Sequence, residues 1–240
     1  MIKTTKIHTC PKCNSVDIVK NGTDKNGKQK FHCTTCDTWG TLEPSVPYTE
    51  ERKEEILRAY QERPSMRGIK RIFGVARQTL ARWLKEKAAS LPDLSDTLDE
   101  AKDDDVLELD ELWSFVLKKV NKRWVWIALC RCTRQIVAYF IGDRSEKSCR
   151  ELWKQIPESY KKCHSYSDFW DAYQKVFSSE THQSVGKESG ETNHVERWNC
   201  TLRQRIARFV RKTLSFSKSD FYHDIVLKLF IYTYNFDCIS

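Results

Sequence analysis

Long apolar runs are missing from this sequence of 240 residues. No segment approaches the roughly 20 consecutive apolar residues that a membrane-spanning helix needs. The opening stretch, MIKTTKIHTCPKC, also lacks the apolar core of a secretory signal peptide. We therefore expect a cytoplasmic protein that has no membrane partner.

Acidic residues are also absent from one stretch in which basic residues are frequent. Between Arg197 and Ser219 the sequence has seven lysines or arginines and no aspartate or glutamate. The whole chain has a net charge of +8, yet residues 96–115 alone carry a net charge of −8. This separation predicts a polyanionic partner for the basic segments and a local role for the acids. The alternative is a basic balance that serves only solubility.

Four of the ten cysteines form a regular pattern. Cys10 and Cys13 form one CxxC motif, and Cys33 and Cys36 form a second one, with 19 residues between the two motifs. Two such motifs, joined by a hairpin, can place four thiolates around one structural Zn²⁺ ion. We therefore predict a zinc-ribbon domain over residues 1–46.

The zinc-ribbon prediction has competitors. His8 and His32 flank the motifs and are alternative ligands. Redox-active or free thiols would also explain the pattern. The six cysteines outside the motifs show no pairing, and we expect them to be buried as small hydrophobic residues.

Residues 47–92 have the pattern of a helix-turn-helix. Thr49 precedes helical spacing that continues to Tyr60. Two further helices are predicted, over residues 65–73 and 76–87, with a tight turn at Gly74 between them. The second would present Arg77, Gln78 and Arg82 to the major groove of double-stranded DNA. An ordinary helical hairpin with solvated charges is the alternative.

An acidic linker, residues 93–105, separates this region from one with strand-like alternation. Three β-rich segments come first, and helical and strand-like segments then alternate, so that residues 106–240 are expected to have the order βββαβαβα. This order predicts an α/β domain of the RNase H-like fold.

Three acidic residues lie on or beside predicted elements that this order would bring close together. Asp110 lies on the first predicted strand, Asp168 ends the fourth, and Glu196 begins the basic helix. In an RNase H-like sheet the first and fourth strands are neighbours, so these carboxylates would converge and could hold Mg²⁺ or Mn²⁺. Two such ions support in-line phosphoryl transfer.

Other acids lie close to these three in the sequence. Alternation along the first strand puts Glu108 on the face of Asp110 and Glu111 on the opposite face. Asp171 lies one helical turn beyond Asp168. Each of these is expected to be a solvated charge, and Glu108 and Asp171 are therefore expected to tolerate amide substitution.

The segments LDELW, SDFWDAY and NHVERWNCTLRQRIARFVRKTLSFSKS resemble the three acidic motifs of DDE transposases from small prokaryotic insertion sequences, of the InsAB type. The resemblance covers nearly the whole chain. It implies that Asp110, Asp168 and Glu196 are the catalytic triad, and that Arg203 contacts transposon-end DNA. Only 27 residues separate Asp168 from Glu196, so hairpin-forming chemistry is not expected.

The leading hypothesis is therefore a transposase that cuts and joins DNA at the ends of its element. We expect Arg208 and Arg211 to contact DNA phosphates, the protein to be a homo-oligomer, and its location to be the prokaryotic nucleoid. A second hypothesis is a DNA-binding regulator without catalytic activity. A third is a nuclease that acts on RNA or a hybrid, which would not need a helix-turn-helix.

Overall fold

The computed structural model describes residues 7–25, 27–42 and 48–239. The chain forms two compact units that divide between Arg52 and Lys53. None of the helices in the described ranges has the length and apolar character required to cross a membrane.

The first unit contains a three-stranded antiparallel sheet. Its strands are β1 (Ile18–Thr23), β2 (Gln29–Cys33) and β3 (Trp39–Thr41). β1 and β2 pair as the hairpin predicted between the two CxxC motifs. Gly27 has a φ of 77° in the turn, a conformation that favours glycine, and its N–H donates to the carbonyl oxygen of Asp24 at 3.0 Å.

Three helices follow: α1 (Glu50–Tyr60), α2 (Met66–Phe73) and α3 (Arg77–Ala89). Local sequence signals set the limits of α2. The Ser65 hydroxyl accepts the N–H of Gly68 at 3.0 Å and caps the start of the helix. Gly74, with a φ of 74°, ends it. The three helices and the glycine turn predicted from the sequence are confirmed.

The second unit contains a five-stranded mixed sheet in the order β6–β5–β4–β7–β8. The strands are β4 (Val106–Phe115), β5 (Lys122–Cys130), β6 (Ile136–Gly142), β7 (His164–Ser167) and β8 (His182–Ser184). β4, β5 and β6 form an antiparallel meander, whereas β7 is parallel to both β4 and β8. The first and fourth strands of the domain are therefore neighbours.

Helices cover both faces of this sheet. They are α4 (Glu146–Gln155), α5 (Asp171–Val176), α6 (Asn193–Arg205) and α7 (Asp220–Ile239). On one face, Leu107 and Leu109 of β4 share a core with Tyr173 of α5. On the other, Asp110 faces α6 and accepts a hydrogen bond from Asn199. The predicted order βββαβαβα is confirmed from β4 to α6, and α7 follows it.

The basic helix α6 is shorter than its sequence pattern predicts. Apolar spacing favours a helix through Ile206 and Phe209, but α6 ends at Arg205, and Ile206 has extended backbone angles of −110° and 104°. Both apolar residues are nevertheless buried. The N–H of Arg63 donates to the carbonyl oxygen of Arg205 at 2.6 Å, and its guanidinium donates to that of Gln204 at 3.0 Å. Arg63 thus satisfies carbonyl groups that the end of the helix leaves unpaired.

The acidic segment 93–105 packs against the second unit. Leu98 contacts the core beneath the sheet. The carbonyl oxygen of Asp99 accepts the Tyr160 hydroxyl at 2.9 Å. Asp105 is 1% exposed and accepts the N–H of Lys102 at 2.8 Å. This connection is therefore attached to the sheet domain along its length.

Two buried histidines, His182 and His223, lie in the second unit, and each ring bonds to two serine hydroxyls. The hydroxyls lie 2.8–3.1 Å from the ring nitrogens and belong to Ser165 and Ser167 beside His182, and to Ser114 and Ser217 beside His223. Burial lowers the pKa of each histidine to about 4, and the nearby charge of Arg208 acts in the same direction on His223. Both rings are therefore neutral at pH 7.

These histidines predict a loss of stability in mild acid. In the unfolded chain they take up protons near pH 6.5, whereas the folded protein resists protonation until about pH 4, so the free energy of unfolding should fall between these values. Each histidine should contribute about 3 kcal/mol to that loss by pH 4. Denaturant unfolding at several pH values should give a flatter pH dependence for His223→Asn. The exposed His164, changed to glutamine, is the matched control, and an unchanged slope in His223→Asn would contradict the explanation.

Candidate metal centre and active site

The four predicted zinc ligands come together in the first unit. Their sulfur atoms all lie within 4.8 Å of one another. The Cys10–Cys36 and Cys13–Cys33 sulfur distances are both 3.6 Å, and all four thiols are free. A disulfide would need about 2.05 Å. A tetrahedral Zn²⁺ at about 2.3 Å from each sulfur requires sulfur distances of about 3.8 Å, so the group fits a structural zinc ion.

Neither alternative histidine belongs to this group. His32 instead lies 2.6 Å from Asp37 and stacks on Trp39 with a centroid distance of 4.0 Å. The expectation that the remaining cysteines are all buried is wrong for Cys132 and Cys200, which are exposed, and for Cys238, which is half-buried. The first lies in the turn between β5 and β6, and the second lies on the exposed part of α6.

We expect the chain to hold one Zn²⁺ at the four cysteines. Thiolate ligation is coupled to folding, so Cys13→Ser should remove the bound zinc and a chelator should unfold the first unit. Metal analysis and circular dichroism of protein purified without chelator would measure both effects. Cys132→Ser, at an exposed cysteine outside the group, should keep its zinc. Wild-type protein without zinc would refute the assignment.

The second site lies where β4 and β7 run side by side. The parallel register pairs Glu108 with Tyr166, and its continuation by two residues brings Asp168 level with Asp110. Glu196 comes from the first turn of α6. All three acids line one cavity of about 310 Å³.

The ligand atoms of the three carboxylates do not all lie within 4.8 Å of one another. In the described ranges the four cysteines are the one group of three or more candidate ligands whose atoms lie within 4.8 Å of one another. The cavity thus leaves space between Asp110, Asp168 and Glu196. Ligands of two ions that are about 3.5–4 Å apart need such space, because each carboxylate need reach only one of the ions.

Asp110 lies in a buried environment with other acids nearby. Its oxygens accept the N–H of Glu111 at 2.8 Å and the amide of Asn199 at 2.7 Å. Burial raises its pKa to about 7, and the charges of Glu111 and Asp168 add to the rise. A divalent cation would offset both effects. The amide oxygen of Asn199 is also buried and has no hydrogen-bond partner among the described residues. The donor set therefore fits a hard cation such as Mg²⁺.

One face of α6 forms a wall of the cavity. Glu196, Asn199, Cys200 and Arg203 all line it, at the spacing that brings residues to one side of a helix. Asn199 was not predicted from the sequence, although its position three residues after Glu196 could have indicated it. Arg203, seven residues after Glu196, lines the same cavity.

Three cationic residues also line this cavity. Lys187 and Arg211 line it together with Arg203. Burial lowers the pKa of Arg203, and the charge of Arg211 adds to the effect. The three positive groups make the cavity suitable for an anionic substrate beside its carboxylates.

Glu108 is not a solvated charge, so the expectation that it tolerates amide substitution is not supported. Its side chain is 0% exposed. It accepts the N–H groups of His194 and Val195 at 2.8 and 3.0 Å, the His194 ring at 2.6 Å, and the Arg131 guanidinium at 2.8 Å. A carboxylate from β4 therefore caps the first turn of α6. Sequence reasoning missed this because the partners come from distant segments.

Glu111 lies on the opposite face of β4, as alternation predicted. It accepts hydrogen bonds from Arg144 at 2.7 Å and from the Tyr173 hydroxyl at 3.0 Å. Arg144 also stacks on Trp170, 4.1 Å from the ring centroid. Glu111 is thus also paired and buried, whereas Asp171 is exposed.

Glu108→Gln should therefore destabilise the second unit. The change removes the charge that pairs with Arg131, which keeps Glu191 as its acidic partner, and it sets an amide against the backbone N–H groups of α6. Loss of such charge-assisted hydrogen bonds costs about 1.5–3 kcal/mol. Urea unfolding followed by tryptophan fluorescence would measure it. Asp171→Asn is the matched control at an exposed acid and should lie within about 0.5 kcal/mol of wild type. Equal stability of both variants would show that the network is dispensable.

The residues predicted to contact DNA lie in different environments. Arg77, Gln78 and Arg82 are exposed on α3, and Arg211 is exposed beside the cavity. Arg208 is half-buried, and its guanidinium donates to the Tyr60 hydroxyl at 2.8 Å. Arg208 therefore also has a structural contact with α1.

Comparison with known proteins agrees with this architecture. A zinc-ribbon-like cysteine cluster followed by a mixed α/β domain corresponds to the two family models that match, a zinc ribbon and a DDE transposase domain. Residues 106–237 match the family described as IS1 transposase, and residues 3–37 match the family described as the InsA N-terminal domain. The first match covers more than half of the chain, which therefore belongs to the IS1 transposase family.

Three insertion-element proteins are similar to about half of this chain. The chain is 38% identical over 126 residues to the insertion element iso-IS1n protein InsB of Shigella dysenteriae, covering 52% of this chain and 93% of that protein. It is 34% identical over 120 residues to the insertion element IS1 protein InsB of Shigella flexneri, covering 50% and 88%. For the insertion element IS1 4 protein InsB of Escherichia coli K12, identity is 33% over 120 residues, covering 50% and 70%.

Proposed function

We propose that this transposase binds the terminal repeats of an insertion sequence and catalyses metal-dependent cleavage and transfer of DNA strands. The observation that carries the proposal is the common cavity of Asp110, Asp168 and Glu196, which come from three separate elements. Lys187, Arg203 and Arg211 line the same cavity, so the three carboxylates and three cations face one common space.

In this proposal the three acids hold Mg²⁺ or Mn²⁺. When bound, two such ions activate a water or a 3′-hydroxyl and stabilise the leaving oxygen of an in-line displacement. Asn199 orients the Asp110 carboxylate through its 2.7 Å hydrogen bond. Lys187, Arg203 and Arg211 would neutralise the phosphate and stabilise the charge that develops on it.

Recognition of the element is assigned to the first helices and the ribbon. Arg77, Gln78 and Arg82 are exposed on α3, the second helix of the predicted helix-turn-helix. Arg208 and Arg211 would add phosphate contacts. An element has two ends and each chain has one such cavity among the described residues, so we propose a homo-oligomer. Its substrate places the protein on DNA in the cytoplasm, at the nucleoid.

The triad variants test the catalytic assignment. Asp110→Asn, Asp168→Asn and Glu196→Gln keep the shape of each side chain but remove a charge that would hold the metal. Joining of a labelled element end to a plasmid in Mg²⁺ should fall by orders of magnitude in each variant, because a weakened metal misplaces the nucleophile. Specific binding to terminal-repeat DNA should persist. Asp171→Asn is the matched control and should remain active.

The same assay separates the enzyme from a DNA-binding regulator. A regulator needs none of the three acids and would show no joining even in the wild type. Full activity in one triad variant would remove that residue from the site, and full activity in all three would overturn the catalytic proposal.

A further inference from the structure

A second cleft in the Lys53–Ser240 unit has a strongly basic lining. It measures about 530 Å³ and lies between the start of α2 and α3 on one side and residues 206–222 on the other. Its cationic lining residues are Arg67, Arg71, Arg77, Arg208 and Lys218, and no acidic residue lines it. The cavity of the three carboxylates shares none of these five residues.

The cations of this cleft are not neutralised by the protein. Arg67, Arg71, Arg77 and Lys218 are exposed, and none of them forms an ion pair within the described ranges. Arg208 bonds to the neutral hydroxyl groups of Tyr60 and Ser217, at 2.8 and 3.4 Å, so its charge also remains. Elsewhere in this unit, cations such as Arg123 and Arg144 have carboxylate partners.

Repulsion between two of these cations destabilises helix α2. Arg67 and Arg71 are four residues apart on a helix of eight residues, and like charges at that spacing destabilise a helix. The first turn of α2 has no acid that would compensate. A ligand with several negative charges would convert this repulsion into attraction.

The two walls of the cleft are also held together before any ligand arrives. The Arg63 backbone and side chain bond to the end of α6, Glu62 pairs with Arg205 at 2.5 Å, and Arg208 bonds to Tyr60 of α1. The walls are therefore already in place, and binding needs to order only the cationic side chains that they carry.

We propose that this cleft binds the phosphodiester backbone of double-stranded DNA, with Arg67 and Arg71 on one wall and Lys218 on the other. The inference rests on the proposed function and extends it, because none of these three residues belongs to the predicted DNA-contacting set. It also divides the roles on α3. Arg77 and Ala81 line the cleft, whereas Gln78 and Arg82 are turned about 100–140° away around the helix. Arg77 therefore contacts the backbone, and Gln78 and Arg82 are left to read bases.

Salt-dependent binding of the full chain tests the cleft. The probes are two labelled duplexes, one with the terminal repeat of the element and one of random sequence, titrated between about 50 and 200 mM salt. Each phosphate contact contributes about 0.9 to the slope of log affinity against log salt. Arg67→Ala/Arg71→Ala should lower the slope by about 2, and Lys218→Ala by about 1, equally on both duplexes.

Matched variants separate this effect from general charge and from base reading. Lys147→Ala/Lys175→Ala removes two exposed cations of α4 and α5 that do not line the cleft, and its slope should equal that of wild type. Gln78→Ala should reduce discrimination between the duplexes, whereas Arg77→Ala should weaken binding to both. The double arginine variant should fold, because it removes a repulsive pair.

An unchanged slope in Arg67→Ala/Arg71→Ala would overturn the proposal. So would a change in sedimentation without a change in DNA binding, because the cleft would then contact protein. Either result leaves the triad assay intact, so the cleft can fail while the catalytic proposal stands. Conversely, active triad variants with a reduced slope in the cleft variants would refute catalysis by the acids and retain the cleft.

Discussion

The buried carboxylate of Glu108 holds the first turn of α6 against β4, and the geometry of the acidic cavity depends on that contact. A fully buried charge must be paired, and Glu108 is satisfied by two backbone N–H groups of α6, the His194 ring and Arg131. The contact fixes the axial position of α6 on the sheet. Glu196 and Asn199 are thereby brought over Asp110. Glu108, the residue that supports the cavity, is thus itself acidic and lies two residues from Asp110 on the same strand.

The sequence was sufficient to predict the order of the elements, because period and turn signals are local properties. The change from helical to alternating spacing at β4, and the predicted turn at Gly74, correspond to real boundaries. Alternation also assigned Glu108 and Glu111 to opposite faces. It could not reveal that both are buried and paired, because Arg131 and Arg144 reach them only after the strands have assembled.

For the candidate site, too, the sequence predicted some features and not others. The three acids predicted from element order line one cavity, since the parallel register of β4 and β7 follows from the topology. Their neighbours were not predicted. Asn199 has no distinctive signal in a single sequence, and the end of α6 at Arg205 depends on Arg63, whose side chain bonds to a residue 141 positions away. Apolar periodicity reports burial, and Ile206 is buried whether or not the helix continues.

Hydrogen bonds join Tyr60 of α1 to Arg208 and Arg63 to Gln204 of α6, and the helical region and the sheet domain are parts of one unit. If α3 reads a DNA sequence and the carboxylate cavity acts on a bond, the separation between the two is built into the protein, without a flexible tether. The distance between α3 and the carboxylate cavity would then set the number of base pairs between the recognised sequence and the end of the element. An element whose recognised sequence shifted by one base pair would present the wrong bond, in the wrong rotation about the duplex. Contacts around Arg63 would in this way constrain the DNA sequence of the mobile element itself.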